Sequence, residues 1–173
     1  MDLLSATLAV MLAFPAYSKE TEDPESRRAR LTDVAQAICS ATNGSPTRAA
    51  ALVTLWWKES SGAAYVQDGC LKEDIPKGAP DCDGGLAATP WQLHHPVCPS
   101  LRDMHPGSYE WLEAGAKCAD RQFRAAYWRC HLGWWGAFSG YAGLRCDSPW
   151  AEKRKNTMGE ILGKIRKEIA RGD

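Results

Sequence analysis

The sequence predicts a mainly α-helical fold, with one domain, a long disulfide-clipped loop and a basic C-terminal helix. Three observations support this prediction. Apolar residues recur at helical spacing in most of the chain, six of the seven cysteines lie between residues 70 and 146, and residues 61 to 100 have no regular periodicity. A length of 173 residues suits one domain with a sizeable core. The formal net charge of zero gives no indication of a nucleic-acid partner.

The first 18 residues combine an acidic start with a short apolar run. Asp2 can cap a helix and Pro15 can end it. A secretory signal peptide is the alternative, but such a signal needs a positively charged start, and Asp2 is acidic. The apolar run over residues 3 to 14 is also too short to span a bilayer. We therefore expect a core helix here and no transmembrane segment.

Two further helices are predicted next, joined by a very short turn at Asn43-Gly44. The first begins at Asp23-Pro24, a cap followed by a proline suited to the first turn. The second has the same signature at Ser45-Pro46 and a stop signal at Gly62.

Glu59, near the end of the second of these helices, is the candidate catalytic residue. Leu52, Leu55, Trp56 and Glu59 follow the i, i+3, i+4, i+7 spacing of one helix face, so the carboxyl group lies on the apolar side. It also lies in the last turn, where the helix dipole disfavours negative charge. Both effects favour the protonated carboxyl group that a general acid requires. The competing interpretation is a solvated glutamate at a frayed helix end.

The rest of the chain contains the irregular loop and three more helices. Gly, Pro, Asp and Cys are frequent in residues 61 to 100, and a loop of this length in a compact domain is usually functional. Helices are predicted over residues 108 to about 130 and 134 to 140. Residues 151 to 173 form a basic amphipathic helix, which we assign as a unit separate from a domain over residues 1 to 150.

The cysteines are expected to form disulfides between partners that are close in sequence. Cys39 lies on the apolar face of a predicted helix, so it is expected to remain a free core thiol. A set of buried reduced thiols is the alternative. The expected pairs are Cys70–Cys82, Cys98–Cys118 and Cys130–Cys146, each of which brackets a turn or a helix end.

A metal site is a weaker interpretation of part of this loop. His94, His95 and Cys98 could be combined with Cys70 or Cys82, but their spacings match no standard ligand template. We therefore predict no metal and no cofactor.

Three motifs occur in a characteristic order along the chain. They are Trp57-Lys58-Glu59-Ser60-Ser61-Gly62, the stretch from Gly85-Leu86 to Trp91-Gln92-Leu93, and Ser139-Gly140-Tyr141-Ala142-Gly143. This order resembles the lysozyme-like superfamily, closest to lytic transglycosylases and their phage relatives, over roughly residues 30 to 146. The family pattern has a helix ending in Glu-Ser, a Gly-Leu-x-Gln-type turn and a tyrosine-glycine segment. This chain departs from it by five residues inserted before Gln92 and by a longer loop between Cys70 and Cys82.

The resemblance implies a role for each motif residue. Glu59 would protonate the glycosidic oxygen, Gln92 would line the cleft, and Tyr141 would lie near Glu59 and hydrogen-bond it or the sugar. Trp91 and Ser60 are further candidates for substrate contact, although the position of Ser60 favours a helix-end cap over a nucleophile.

The implied function is cleavage of the β-1,4 glycan strand of bacterial peptidoglycan, by a lytic transglycosylase or a lysozyme-type glycosidase. In lytic transglycosylases groups of the substrate replace the second carboxylate, whereas hydrolysis would require Asp83 or Asp68. Simple turn formation before glycine is the alternative role for both aspartates.

A non-catalytic structural or glycan-binding virion protein on a lysozyme-like fold is the alternative function. In either case we expect a virion-associated protein or one exported to the periplasm or extracellular space. The partners would be peptidoglycan glycan strands, with virion or tail proteins as candidates for the C-terminal helix.

Overall fold

Helices dominate the fold, as the sequence predicts. The computed structural model describes residues 1–85, 87–94 and 96–172. Leu86 of the second motif, His95 of the candidate metal ligands and Asp173 of the tail lie outside the described residues. The elements are α1 (Leu3–Leu12), α2 (Pro24–Thr42), α3 (Pro46–Ser60), α4 (Ala64–Gln67), α5 (Cys82–Gly85), β1 (Ala87–Ala88), β2 (Leu93–His94), a 3-10 turn (Pro99–Leu101), α6 (Tyr109–Cys130), α7 (Gly133–Tyr141) and α8 (Trp150–Ala170).

Four of the long helices begin at side-chain caps, and the sequence predicts three of these caps, at Asp2, Asp23 and Ser45. A capping side chain accepts a hydrogen bond from a backbone N–H group of the first turn, which otherwise has no partner within the helix. Pro24 and Pro46 follow two of these caps, where a missing N–H group costs nothing. The caps are Asp2, Asp23, Ser45 and Ser108, which accept from the N–H groups of Ser5, Ser26, Arg48 and Trp111.

The long helices share one main core, and α3 runs through its middle. Residues 49 to 56 of α3 are all buried, and α2, α6 and α8 pack around this helix. The apolar face of α6 packs on α2 and α7. Since α3 is enclosed along most of its length, its last turn carries Glu59 out of the core to the edge of the domain. The core therefore fixes the position of the candidate acid.

Helix α8 is part of the main core. Met158, Ile161 and Ile165 are buried in the same cluster as residues of α2 and α3, and the helix packs on α1, α3 and α7. The core therefore continues across the boundary that the sequence predicts after residue 150. Helix α1 is also a core helix, with Ala6, Val10 and Met11 buried against α2 and α8.

Each helix in the described part of the chain is too short or too polar to cross a membrane.

Three disulfides join the expected pairs. Cys70–Cys82 and Cys98–Cys118 each have a Cα–Cα distance of 6.3 Å, and Cys130–Cys146 has one of 5.2 Å. Cys39 is free and half-buried, as predicted. Three disulfides are compatible with an exported protein, because such bonds persist in oxidising compartments.

The irregular loop contains more structure than its sequence indicates. It includes two single-turn helices and a small hairpin, in which Ala87 pairs with His94 and Ala88 with Leu93. It also has an apolar cluster of its own, which we call the loop cluster. The loop cluster consists of Ala63, Tyr65, Val66, Cys70, Cys82 and Ala87.

Candidate active site

Glu59 is held at a tightly closed helix end. Ser61 adopts a left-handed conformation (φ 53°) as the C-terminal cap of α3, and Gly62 follows with φ 70°. The Ser60 hydroxyl donates to the carbonyl of Trp56 at 2.6 Å and accepts from the Gly62 N–H group at 3.2 Å. Ser60 therefore caps the helix end, as its position predicts. The Glu59 side chain remains 21% exposed at this end.

Arg154 of α8 forms an ion pair with Glu59, and the sequence analysis did not predict this pair. Arg154 donates from Nη2 to Glu59 Oε1 at 2.6 Å, and its side chain is only 11% exposed. The same guanidinium lies over the ring of Trp150, 3.3 Å from its centroid. Arg154 therefore binds the Glu59 carboxyl group from α8, a contact that the sequence of α3 alone does not reveal.

The hairpin turn brings Gln92 to the cleft by anchoring Trp91 in the core. The Trp91 side chain is fully buried, and its Nε1 donates to the Leu52 carbonyl of α3 at 3.1 Å. The ring fastens the turn to α3 and Trp91 also lines the cleft, so its contact with substrate stays a prediction. Gln92 follows in a left-handed conformation (φ 51°), and its Nε2 donates to Cys82 Sγ at 3.6 Å.

Tyr141, the last residue of α7, closes another side of the same cleft. Its hydroxyl donates to the Trp91 carbonyl at 2.9 Å, so in this structure the hydrogen bond goes to the hairpin turn and not to Glu59. Burial raises the pKa of Tyr141 well above its ordinary value, and the negative charge of Glu59 adds to this rise. The phenol therefore remains a protonated donor.

The two candidate second carboxylates are in different places. Asp83 lies in the first turn of α5 at the cleft, its side chain is 70% exposed, and its Oδ2 lies 3.3 Å from His94 Nε2. Asp68 is exposed to solvent, and partial desolvation raises the pKa of its carboxyl group. It lines a separate depression near Glu20 and Asp74. Of the two, only Asp83 lies where it could act together with Glu59.

One open cleft of about 540 Å³ brings the candidate residues together. A smaller cavity of about 140 Å³ adjoins it, and both cavities are lined by Glu59, Asp83 and Gln92. Ser60 lines the smaller cavity only. The larger cleft is lined by Glu59, Asp83, Trp91, Gln92, Leu93, His94, Val97, Gln122, Arg129, Gly140, Tyr141, Ala142, Gly143 and Trp150.

Sequence analysis missed Arg154 and Trp150, although a signal for Arg154 was present. Arg154 lies three residues after Ala151 and four before Met158, which places it on the buried stripe of α8. Extending that stripe towards the start of the helix would have shown a charged residue among apolar ones, which indicates a buried partner of opposite charge.

The described residues contain no cluster of His, Cys, Asp and Glu side chains suited to hold a metal ion. Cys70, Cys82 and Cys98 are all oxidised to disulfides, so they offer no thiolate ligand.

The chain matches no family model, no curated protein and no solved structure. The resemblance to the lysozyme-like superfamily therefore rests on the three sequence motifs, and it remains a prediction.

Proposed function

We propose that the protein cleaves the β-1,4 glycan strand of bacterial peptidoglycan, with Glu59 as the general acid. The observation that carries the proposal is the meeting of four distant segments in one open cleft. Glu59 comes from the end of α3, Asp83 from the start of α5, Gln92 from the hairpin turn and Tyr141 from the end of α7. A partly buried carboxyl group beside amide and phenol groups can protonate a glycosidic oxygen and bind sugar hydroxyls.

The shape of the site supports a polymeric substrate. The larger and smaller cavities meet at Glu59, so an acid at this position has room for sugar units on both sides. Trp150 lines the larger cavity and is 42% exposed, which leaves part of its ring available to stack against a sugar. A glycan strand that passes Glu59 would thus be cut at an internal bond.

A non-catalytic glycan-binding protein is the second candidate function, and the ion pair with Arg154 favours it. The hydrogen bond from Arg154 already occupies Glu59 Oε1 at 2.6 Å, so this oxygen is engaged by the protein itself. In that case the same cleft would bind a glycan strand without cleaving it.

A turbidity assay on purified bacterial cell walls separates these two functions. We expect the wild-type chain to clear the suspension and Glu59→Gln to abolish clearing, because the amide cannot donate a proton to the leaving oxygen. Glu22→Gln is the matched control, since Glu22 also pairs with a largely buried arginine, Arg30, at 2.7 Å. That control should keep its activity. Wild-type chain that sediments with the walls without clearing them would favour the binding protein.

The products distinguish a transglycosylase from a hydrolase. If the substrate supplies the nucleophile, the new ends are 1,6-anhydro sugars, lighter by one water than hydrolysed ends in mass spectrometry. Asp83→Asn should then retain most of the activity. Reducing ends, together with an Asp83→Asn variant as inactive as Glu59→Gln, would identify a hydrolase with two carboxylates.

A further inference from the structure

We infer that Arg154 is a positioning residue for Glu59, so that the C-terminal helix α8 completes the active site. The inference rests on the proposed function, because it concerns how the acid is oriented for proton transfer. The contact joins α8 to α3, and its two residues, Arg154 and Glu59, are 95 positions apart in the sequence.

An aromatic ring holds one face of the Arg154 guanidinium group in place. Trp150 lies one helical turn earlier on α8, and its ring stacks under the guanidinium at 3.3 Å. The rest of the helix is secured by the burial of Met158, Ile161 and Ile165 in the main core. Arg154 therefore reaches Glu59 from a rigid support, and this is the condition for precise placement of a reactive group.

The hydrogen bond from Arg154 limits the freedom of the carboxyl group. A glutamate side chain has several accessible rotamers, so its carboxyl group is mobile unless something holds it. With Oε1 bonded to Nη2 at 2.6 Å, one oxygen of the carboxyl group is held in place. Misplacement of a reacting group by about 1 Å can reduce a rate by about 100-fold, so this restraint bears directly on catalysis.

A comparison with Arg48 separates this role from ordinary helix packing. Arg48 joins α3 to α6 by donating two hydrogen bonds to Asp120, at 2.6 and 2.8 Å, and it also donates to the Ala41 carbonyl. Arg154 has one hydrogen bond to its carboxylate partner, and its buried Nε has no hydrogen-bond partner within the described residues. A buried donor without a partner reduces stability, so packing alone is a poor explanation for this arginine.

The test measures kcat, KM and melting temperature for the full chain acting on solubilised glycan strands. Arg154→Gln should lower kcat by about 10- to 100-fold and leave KM within about twofold, since binding along the cleft is retained. Arg154→Lys should recover part of the lost kcat, because an ammonium group can still bond Oε1. Arg48→Gln is the matched control: it should lower the melting temperature at least as much as Arg154→Gln and leave kcat unchanged.

Each other outcome decides against the inference. If Arg154→Gln matches or exceeds the wild-type kcat while Glu59→Gln is inactive, Arg154 does not position the acid, and the proposed function stands. If Arg48→Gln loses as much kcat as Arg154→Gln at an equal loss of melting temperature, the effect of Arg154 is structural. A wild-type chain without any cleavage would overturn the proposed function and this inference together.

Discussion

The main core and the loop cluster hold their residues in different ways, and the cleft lies between them. The main core is built from long helices whose apolar stripes cover one another, from α1 to α8. Among the described residues, the loop cluster has six buried members, and two of these are the cysteines of one disulfide. Glu59 belongs to a helix of the main core, whereas Asp83 and Gln92 lie on the loop beside the smaller cluster.

This difference indicates how stability is divided across the site. A large apolar core unfolds as one cooperative unit, whereas a small cluster can open locally at lower free energy. The acid therefore has the stability of the whole domain, whereas Asp83 lies beside the loop cluster and its disulfide. Four predictions test this division, in order of decreasing expected effect.

Truncation after Trp150 should abolish cooperative folding. It removes Met158, Ile161 and Ile165, each of which contributes about 1.5–3 kcal/mol by burial, from a domain whose total stability is on the order of 5–15 kcal/mol. Calorimetry should then detect no sharp unfolding transition. Removal of residues 171 to 173 alone is the control and should leave the transition intact. A truncated chain that melts like the full chain would show that α8 is dispensable to the core.

Removal of the Cys70–Cys82 disulfide and removal of the Cys98–Cys118 disulfide should affect different parts of the domain. Loss of either should cost about 2–4 kcal/mol in the chain-entropy model. Cys98 and Cys118 are buried in the main core, so the double alanine variant should lower the melting temperature of the whole domain. Cys70 and Cys82 belong to the loop cluster, so their removal should mainly speed amide hydrogen exchange in residues 64 to 85 and reduce glycan cleavage. Equal exchange profiles for the two variants would contradict the division.

Gly62→Ala should cost more than about 1 kcal/mol, because its φ of 70° is strained for alanine. An added Cβ would also lie 2.8 Å from the buried ring of Trp56. Gly159→Ala is the matched control. Gly159 lies within α8 with no atom within 4 Å of an added Cβ, so alanine there should stabilise by about 0.5–1 kcal/mol. Urea denaturation measures the free energy of unfolding of both variants. If both substitutions changed it in the same direction, this prediction would be wrong.

The smallest effect concerns Tyr65 in the loop cluster, and it appears only at alkaline pH. Burial, aided by the nearby Tyr17, raises the pKa of Tyr65 from 10.0 to about 12. Between these values the unfolded chain loses the phenolic proton more readily than the folded chain, so the free energy of unfolding falls as pH rises through this window. Tyr65→Phe should show a shallower fall between about pH 10 and about pH 12 in urea titrations. If the free energies of unfolding of the wild type and Tyr65→Phe fell in parallel with rising pH, this prediction would be wrong.

Much of the helical frame could be predicted because its signals are local. The caps at Asp2, Asp23, Ser45 and Ser108 each depend on a few neighbouring residues, and all four begin helices. The disulfides were predictable for a similar reason, since each joins cysteines that are close in sequence. Short strands such as β1, with two residues, give no periodicity that could be recognised.

The site was less predictable because its contacts link distant segments. Arg154 meets Glu59 across 95 positions, and the buried ring of Trp91 reaches the Leu52 carbonyl across 39. Neither contact follows from spacing along one element. In the sequence, a tryptophan beside a motif glutamine is a candidate for stacking against a sugar ring. Only the path of the hairpin turn shows that the ring of Trp91 is buried.

The pairing of the cysteines has a consequence for the order in which the chain is oxidised. Each disulfide joins two cysteines that are consecutive among the six, so every bond can close as soon as its second thiol has emerged. Cys39 precedes all of them, and an oxidant acting during synthesis would meet Cys39 and Cys70 as its first pair. Burial raises the pKa of the Cys39 thiol, which reduces the reactive thiolate once α2 has packed. Correct pairing therefore depends on whether α2 packs before Cys70 is exposed to the oxidant.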